Sequence, residues 1–410
     1  MITPSPEVVG DEVSCPSIIE IPSTKEPLSE NALLGPFRKI IKITGLDCSL
    51  IARAEFNPSL RIKSILTRIV ALVVVAIVFF RMAIYSKAEG ACLSLAWAEG
   101  NMFQFMALQT IVCALCLFGW TKNSFISKHL GRLEKVRSLR IKENIEMDNY
   151  SNTHRKAFIW SGFYIAAIMS HAIMSSIAQK ILIANKTVIA PLYIAMVFIN
   201  LLSCFIVAIC LIYYFLVNLS LSREIRYFNT ELEDAKQGRR LQISGVLSDF
   251  CHRQAELIRV VRETNESLQS YATVAPLFAF NSLINAVFIA SGFSSSLPPV
   301  VFGVLLFDLF AVIGLTFFTL RPASNVQYDL AQTARILMDS EEFEGSQDVE
   351  VFKAYQVMIN RSLKHTAHIR VVGAIPIYPT SAHFAFLLIP NLGNILAIVR
   401  KVLVEQGIQI

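Results

Sequence analysis

Charge is what this chain has least of. Asp, Glu, Lys and Arg make up 17% of its 410 residues, against 54% apolar residues. A soluble domain carries about 25% charge, so a single water-soluble globule is excluded. Alternating apolar segments of about ten residues are also missing, which excludes a transmembrane β-barrel. The chain lacks a Walker loop, a paired Cys-x-x-Cys and a His-Glu-x-x-His helix. The Ser-rich stretch after Gly292 follows no strand and is no nucleophile elbow. No enzyme activity, cofactor or metal is therefore expected. No internal repeat is found, which argues against an inverted-repeat transporter. Eight cysteines are present, but only Cys92 falls in an outer loop, so no outer disulfide can close within one chain. Cys113 and Cys116 have redox or metal spacing, yet they sit in an apolar helix without a second pair and read as packing residues.

What is abundant is long apolar sequence. A helix needs about 20 apolar residues to cross the hydrocarbon core. Seven stretches qualify, at 64–85, 101–120, 157–181, 188–217, 271–293, 297–320 and 371–399. The first begins too late for a simple signal peptide and reads as a true span. The fold class expected is an all-α polytopic membrane protein.

Basic residues orient it. Thirty Lys and Arg fall before the first span and in 121–156, 218–270 and 321–370. Six flank the other side: Arg81, Lys87, Lys180, Lys186, Arg400 and Lys401. The positive-inside rule places the first set in the cytosol, giving a cytosolic N-terminus and an extracellular C-terminus at the plasma membrane. The net charge of +6 is then a topology signal and not a nucleic-acid surface.

Residues 1–34, rich in Pro, Ser, Glu and Thr, read as a disordered cytosolic tail. Residues 35–403 form the seven-helix domain, and 404–410 a short outer tail. Residues 33–60 read as a basic amphipathic lead-in on the inner face, with Phe37, Ile40 and Ile41 among Arg38, Lys39 and Lys42. The fourth, fifth and sixth spans continue into amphipathic cytosolic helices, and another follows with Val351, Tyr355, Met358, Ile359 and Leu363 on one face. Of five Asn-x-Ser/Thr sites, only Asn185 lies on the outer side and is a glycosylation candidate.

Polar groups inside spans are costly and face a bundle interior or a cavity. Asp308 lies about nine residues from the outer end of the sixth span, with no Lys or Arg expected at its depth. It pairs with His171 or an amide, or stays protonated. Asp308, His171, Asn200, Gln109 and Asn285 are the candidates for a small-molecule pocket in the outer half. The bland alternative for each is an ordinary interhelical hydrogen bond. The last span carries Pro376, Pro379, Thr380, His383, Pro390, Asn391 and Asn394, a composition suited to a water-filled path.

The chain resembles the invertebrate gustatory-receptor superfamily, nearest to nematode gustatory-receptor-like proteins and class R serpentine receptors. The resemblance covers residues 35–403. It rests on seven spans, inverted topology, short outer loops and long inner helices. It rests also on Arg253-Gln-Ala-Glu-Leu-Ile-Arg-Val-Val-Arg-Glu-Thr-Asn265 and on Ile369-Arg-Val-Val-Gly373 before an apolar helix. The superfamily ends in Thr-Tyr, five apolar residues and Gln-Phe. Here the same spacing carries Gly393-Asn394 and Arg400-Lys401. The resemblance implies a homotetramer, or a heteromer with related receptors, forming a ligand-gated cation channel. The second half of the last helix then lines the pore, with Asn391, Asn394, Ile395 and Ile398 on one face. A ring of Arg400 at its mouth would repel cations. Two other readings stay open: a receptor coupled to G proteins, and a non-conducting member of the same family.

Overall fold

A computed structural model describes residues 28–54, 58–85, 91–140, 149–182, 190–340, 343, 348–363, 370–371, 375–376 and 379–407. Asn185 lies outside the described residues, as do tail residues 1–27. Three short helices open the chain: α1 (Glu30–Leu34), α2 (Phe37–Ile43) and α3 (Ser49–Ala54). There follow α4 (Arg61–Tyr85), α5 (Leu95–Lys122), α6 (Phe125–Arg137), α7 (Ser151–Leu182) and α8 (Ala190–Gln237). The chain closes with α9 (Ser244–Gly292), α10 (Pro299–Met338), α11 (Val349–Leu363) and α12 (Pro379–Glu405). Seven of these helices, α4, α5, α7, α8, α9, α10 and α12, are long and apolar enough to cross a membrane. The chain is an all-α, multi-pass membrane protein.

Local chemistry sets the boundaries. The Ser94 hydroxyl caps α5 by accepting from the Trp97 amide. Pro299 begins α10 at the one turn where a missing N–H costs nothing. Two boundaries differ from expectation. The expected tail runs to residue 34, but Glu30–Leu34 is helical, capped by Ser29, with Leu33 and Leu34 buried. Gly35 then turns the chain at φ 53°, where a Cβ would lie 2.6 Å from the His154 ring. His154 Nε2 holds the Leu33 carbonyl at 2.8 Å. The last span, expected at 371–399, instead begins at Pro379 and runs to Glu405. Before it, Arg370–Val371 pairs antiparallel with Ile375–Pro376. Proline disfavours helix in the residue before it and fits the first helical turn, so Pro376 and Pro379 delay the helix.

Helices α8, α9 and α10 contain 48, 49 and 40 residues. At about 1.5 Å per residue they reach roughly 60–75 Å, twice a hydrocarbon core. They project together at the end of the bundle that carries the basic loops, the basic end. There the amphipathic faces close on one another. Phe228, Leu232, Leu247, Phe250, Leu337, Val351 and Met358 form one buried cluster. Leu133, Leu221, Ile225, Leu257, Val261 and Val326 form another. Each such side chain contributes about 1.5–3 kcal/mol by leaving water. Of the face expected on α11, Val351 and Met358 are buried, whereas Leu363 stays exposed. Buried pairs Arg140–Glu224 and Arg253–Glu231 join these layers, and Gln254 reaches the Met358 carbonyl at 3.0 Å.

His129 on α6 belongs to this assembly. It is fully buried, with Nδ1 3.1 Å from the Thr264 hydroxyl and Nε2 2.9 Å from the Ser220 hydroxyl. Burial, helped by the Arg132 charge, lowers its pKa from 6.5 to about 3. The unfolded chain therefore binds a proton that the folded chain refuses between those values. Stability is complete above about pH 6.5 and falls as pH drops toward 3. Acidifying detergent-solubilised protein from pH 7.5 to pH 5 should cost about 2 kcal/mol through this residue. Thermal unfolding at the two pH values checks it. The pH dependence should shrink in His129→Gln, and an unchanged dependence would refute the assignment.

Candidate functional site

Five spans each send one polar side chain into the interior near the end opposite the basic loops. His171 on α7 meets Asp308 on α10, Nδ1 to Oδ2, at 2.8 Å. Both are buried, at 4% and 1% exposure. The second Asp308 oxygen, Oδ1, is buried without a hydrogen-bond partner among the described residues. The edge of the His171 ring lies against Phe103, with centroids 5.2 Å apart. Glu99, near the start of α5, is within electrostatic reach of the same ring.

Arg81 on α4 departs from the outer-flank position expected of it. It is not an outer flank but a buried group, 2% exposed. Its Nε donates to Asn200 Oδ1 on α8 at 2.8 Å, and NH1 donates to the Thr110 hydroxyl on α5 at 3.1 Å. The Thr110 hydroxyl in turn donates to the Met106 carbonyl at 2.8 Å. Tyr164 and Cys204 each lie within electrostatic reach of both Arg81 and Asp308. A cation and a carboxyl group thus share one buried neighbourhood, contrary to the expectation that Asp308 has no basic residue at its depth. The signal was available. Met82, Ala83, Ile84 and Tyr85 extend α4 by a full turn beyond Arg81. Removing it from the six outer basic residues leaves five, so the charge split barely changes.

The other pocket candidates are not drawn into this pair. Asn200 joins through Arg81. Gln109 is buried beside Thr110 on α5. Asn285 on α9 donates back to the Asn281 carbonyl at 2.8 Å, and its Oδ1 is buried without a partner among the described residues.

The last helix has two different faces. One docks on α9 through Ile389, Gly393, Leu396 and Ala397. A Cβ on Gly393 would meet Val287 at 2.7 Å, so glycine sets the close approach. Ile395 and Ile398, at 52% and 62% exposure, lie on the open face with Leu388, Leu392, Val399 and Val402. Asn391 is exposed and donates back to the Leu387 carbonyl at 2.8 Å. Asn394 turns sideways and accepts from the Ser291 hydroxyl at 2.6 Å. Arg400 points away from the open face. Its guanidinium donates to the Gly292 carbonyl at 3.1 Å and lies 4.0 Å over the Phe293 ring. It caps the negative C-terminal end of α9, where a cation is favoured. Arg400 thus clamps α12 to α9, off the open face.

Comparison with known proteins follows from this arrangement. A family profile described as "Caenorhabditis protein of unknown function, DUF267" matches residues 33–393. The chain belongs to this family. The match takes in all five polar side chains and the last helix as far as Gly393. No curated protein matches the chain in sequence. Among solved structures, the insect olfactory receptor OR5 from Machilis hrabei is similar, with a TM-score of 0.59 at 11% identity. The likeness covers 90% of this chain and 99% of the receptor. The same receptor in complex with eugenol gives 0.57 at 13% identity, covering 90% and 100%. The chain thus shares its seven-helix fold with this insect olfactory receptor.

Proposed function

We propose that the chain is a chemosensory receptor, of gustatory type, and a subunit of a ligand-gated ion channel in the plasma membrane. The observation that carries this reading is the last helix. It is tied to its own bundle along one face and leaves the opposite face uncovered. Four copies, or copies mixed with related chains, bring those faces together around one path. The N-terminus is cytosolic and the C-terminus outside, as the basic residues indicate. The small molecule binds near His171 and Asp308. The comparison receptor is bound to eugenol, a phenol. A ligand with a hydroxyl or amine of similar size would supply the donor that Asp308 Oδ1 lacks.

Current recording from cells expressing the chain, alone and with related chains, tests the function. Terminal tags probed in unpermeabilised cells test the topology, and an exposed N-terminus would sink both. Asp308→Asn keeps the shape and changes the acceptor. It should shift the half-maximal ligand concentration by about tenfold, the value of one hydrogen bond to a charged group, at unchanged surface level. If it only prevents folding, the residue is structural. A second reading rests on the departure at Gly393-Asn394 and Arg400-Lys401: a family member that keeps the fold without conducting.

A further inference from the structure

A cavity of about 680 Å³ lies at the basic end, between the opening helices and α4, α5, α6 and α8. Its size falls within the range of about 300–1,000 Å³ of small-molecule sites. Its backbone frame is held from two sides. Gly45 turns the chain at φ 72°, where a Cβ would lie 2.8 Å from Val70. The Thr121 hydroxyl holds the next loop, donating to the Leu46 carbonyl at 2.8 Å and accepting from the Cys48 amide at 3.1 Å. Ser124, at φ 51°, opens α6 at the cavity wall, and its side chain makes no capping bond.

Two acidic and two basic side chains line it, Glu30 and Asp47 against Arg38 and Lys42, so the lining is neutral overall. Glu30 and Arg38 satisfy each other at 3.2 Å. That leaves Lys42 and Asp47, one charge of each sign, and neither forms an ion pair among the described residues. Their settings differ. Lys42 is exposed, at the rim, whereas Asp47 is half-buried and accepts from the Ser49 amide at 3.1 Å. Carboxylates dominate the floor. Asp47 is the largest charge acting on the buried Cys48, ahead of Lys122 and Arg68. Glu30 and Asp47 likewise act on the buried Tyr213 more strongly than Arg38 does. The rim has the opposite bias, through Lys42 and the uncapped start of α6, which favours an anion. On the α4 side the lining is apolar and open, with Leu66 61% and Val70 41% exposed. One cavity thus offers a carboxylate within, a cation at the rim and a membrane-facing apolar wall.

We propose that this cavity holds the headgroup of one zwitterionic, ethanolamine-bearing glycerophospholipid of the adjoining leaflet. Its ammonium sits at Asp47, its phosphate at Lys42, and an acyl chain lies along Leu66 and Val70. Each unpaired charge then gains its opposite, and a neutral lining meets a neutral lipid. An anionic lipid fits worse, because it either brings no cation to Asp47 or adds a second carboxylate beside it. A choline lipid carries both charges but has no N–H, and so forfeits the charge-assisted hydrogen bond to the carboxylate. The leaflet is the cytosolic one if the proposed topology holds. Binding itself does not depend on channel activity.

The test is photo-crosslinking of the purified full chain in phosphatidylcholine vesicles, with a trace of phosphatidylethanolamine bearing a diazirine on its acyl chain. Mass spectrometry maps the adducts. Label should concentrate at 41–50 and 66–70. It should exceed that from matching phosphatidylcholine, phosphatidylserine and phosphatidylglycerol probes. Over phosphatidylcholine the excess should be about tenfold, the worth of one hydrogen bond to a charged group. Two variants separate the two charges. Asp47→Asn should bring the ethanolamine probe down to the choline probe, whereas Lys42→Gln should lower both probes alike, since both carry the phosphate. Thermal melting shows whether each variant folds, and the ranking of the four probes on the unaltered chain decides the matter without them. Equal labelling by the ethanolamine and choline probes, stronger labelling by either anionic probe, or label spread evenly over the spans would overturn the proposal. So would displacement by soluble glycerophosphoethanolamine at the probe's concentration, by identifying a site for the free zwitterion rather than the lipid.

Discussion

Arg81→Met is expected to lower thermal stability sharply and strip the protein from the cell surface. The side chain is 2% exposed and joins three helices, through Asn200 on α8 and Thr110 on α5. Methionine matches its volume but leaves both acceptors without their donor. It also leaves the Asp308 neighbourhood without its cation. Removing one member of a buried charged set costs about 3–5 kcal/mol, most of it from the charge left behind. Arg81→Lys should fail nearly as badly. An ammonium on a flexible stem cannot serve two acceptors in the fixed fork of a guanidinium. The shared neighbourhood gives a sharper test. If Arg81 compensates Asp308, then Arg81→Met combined with Asp308→Asn should be less damaging than the two losses added together. Surface biotinylation and thermal melting read both effects. Strict additivity would separate the two groups, and a well-folded Arg81→Met would remove Arg81 from the interior.

Much of the fold was legible because lipid imposes a coarse code. Seven apolar stretches predict seven crossings, since backbone polar groups in lipid must be satisfied within a helix. The amphipathic extensions at the basic end showed in the apolar spacing of Val261, Leu257 and Phe250. What was not legible depends on side-chain direction. Hydropathy counts Arg81 as a flank because it stands near the end of a span; the further turn Met82–Tyr85 signals its depth, but not that its side chain turns inward. His171 could be named as one possible partner of Asp308, but choosing it over an amide, across 137 residues of sequence, needed the packing of α7 on α10. Similarly, helical angle sets Arg400 away from Ile398, but its partner, the end of α9, needed the packing. The start of the last helix was readable in outline from Pro376 and Pro379. The helix in α1 was hidden by the proline-rich composition around it, although Ser29 with Leu33 and Leu34 is a small capped helix in its own right.

Ile398→Ser is expected to raise ligand-independent current about tenfold, if the proposed channel conducts. The reasoning is geometric first. Successive helical residues turn by about 100°, so Asn391 and Ile398 lie within about 20° of each other. Val402 and Ile395 both fall on the other side of Asn391, by about 20° and 40°. Ile398 is 62% exposed and is the outermost isoleucine of this open face. In a symmetric assembly it forms an apolar ring, and such a ring stops ions by expelling water. Serine wets the ring and removes the apolar burial that favours closure, about 1.5–3 kcal/mol per side chain. Even the lower bound shifts the closed–open balance about tenfold. Arg400→Gln should do the opposite kind of thing. Arg400 lies about 200° around the helix from Ile398 and clamps Gly292. Its loss should weaken docking of α12 on α9, lowering surface level or thermal stability while the reversal potential stays put. Currents through the two variants separate the cases. A shifted reversal potential in Arg400→Gln would turn that side chain toward the ions. An unaltered leak in Ile398→Ser, in a protein shown to conduct, would move the path away from this helix altogether.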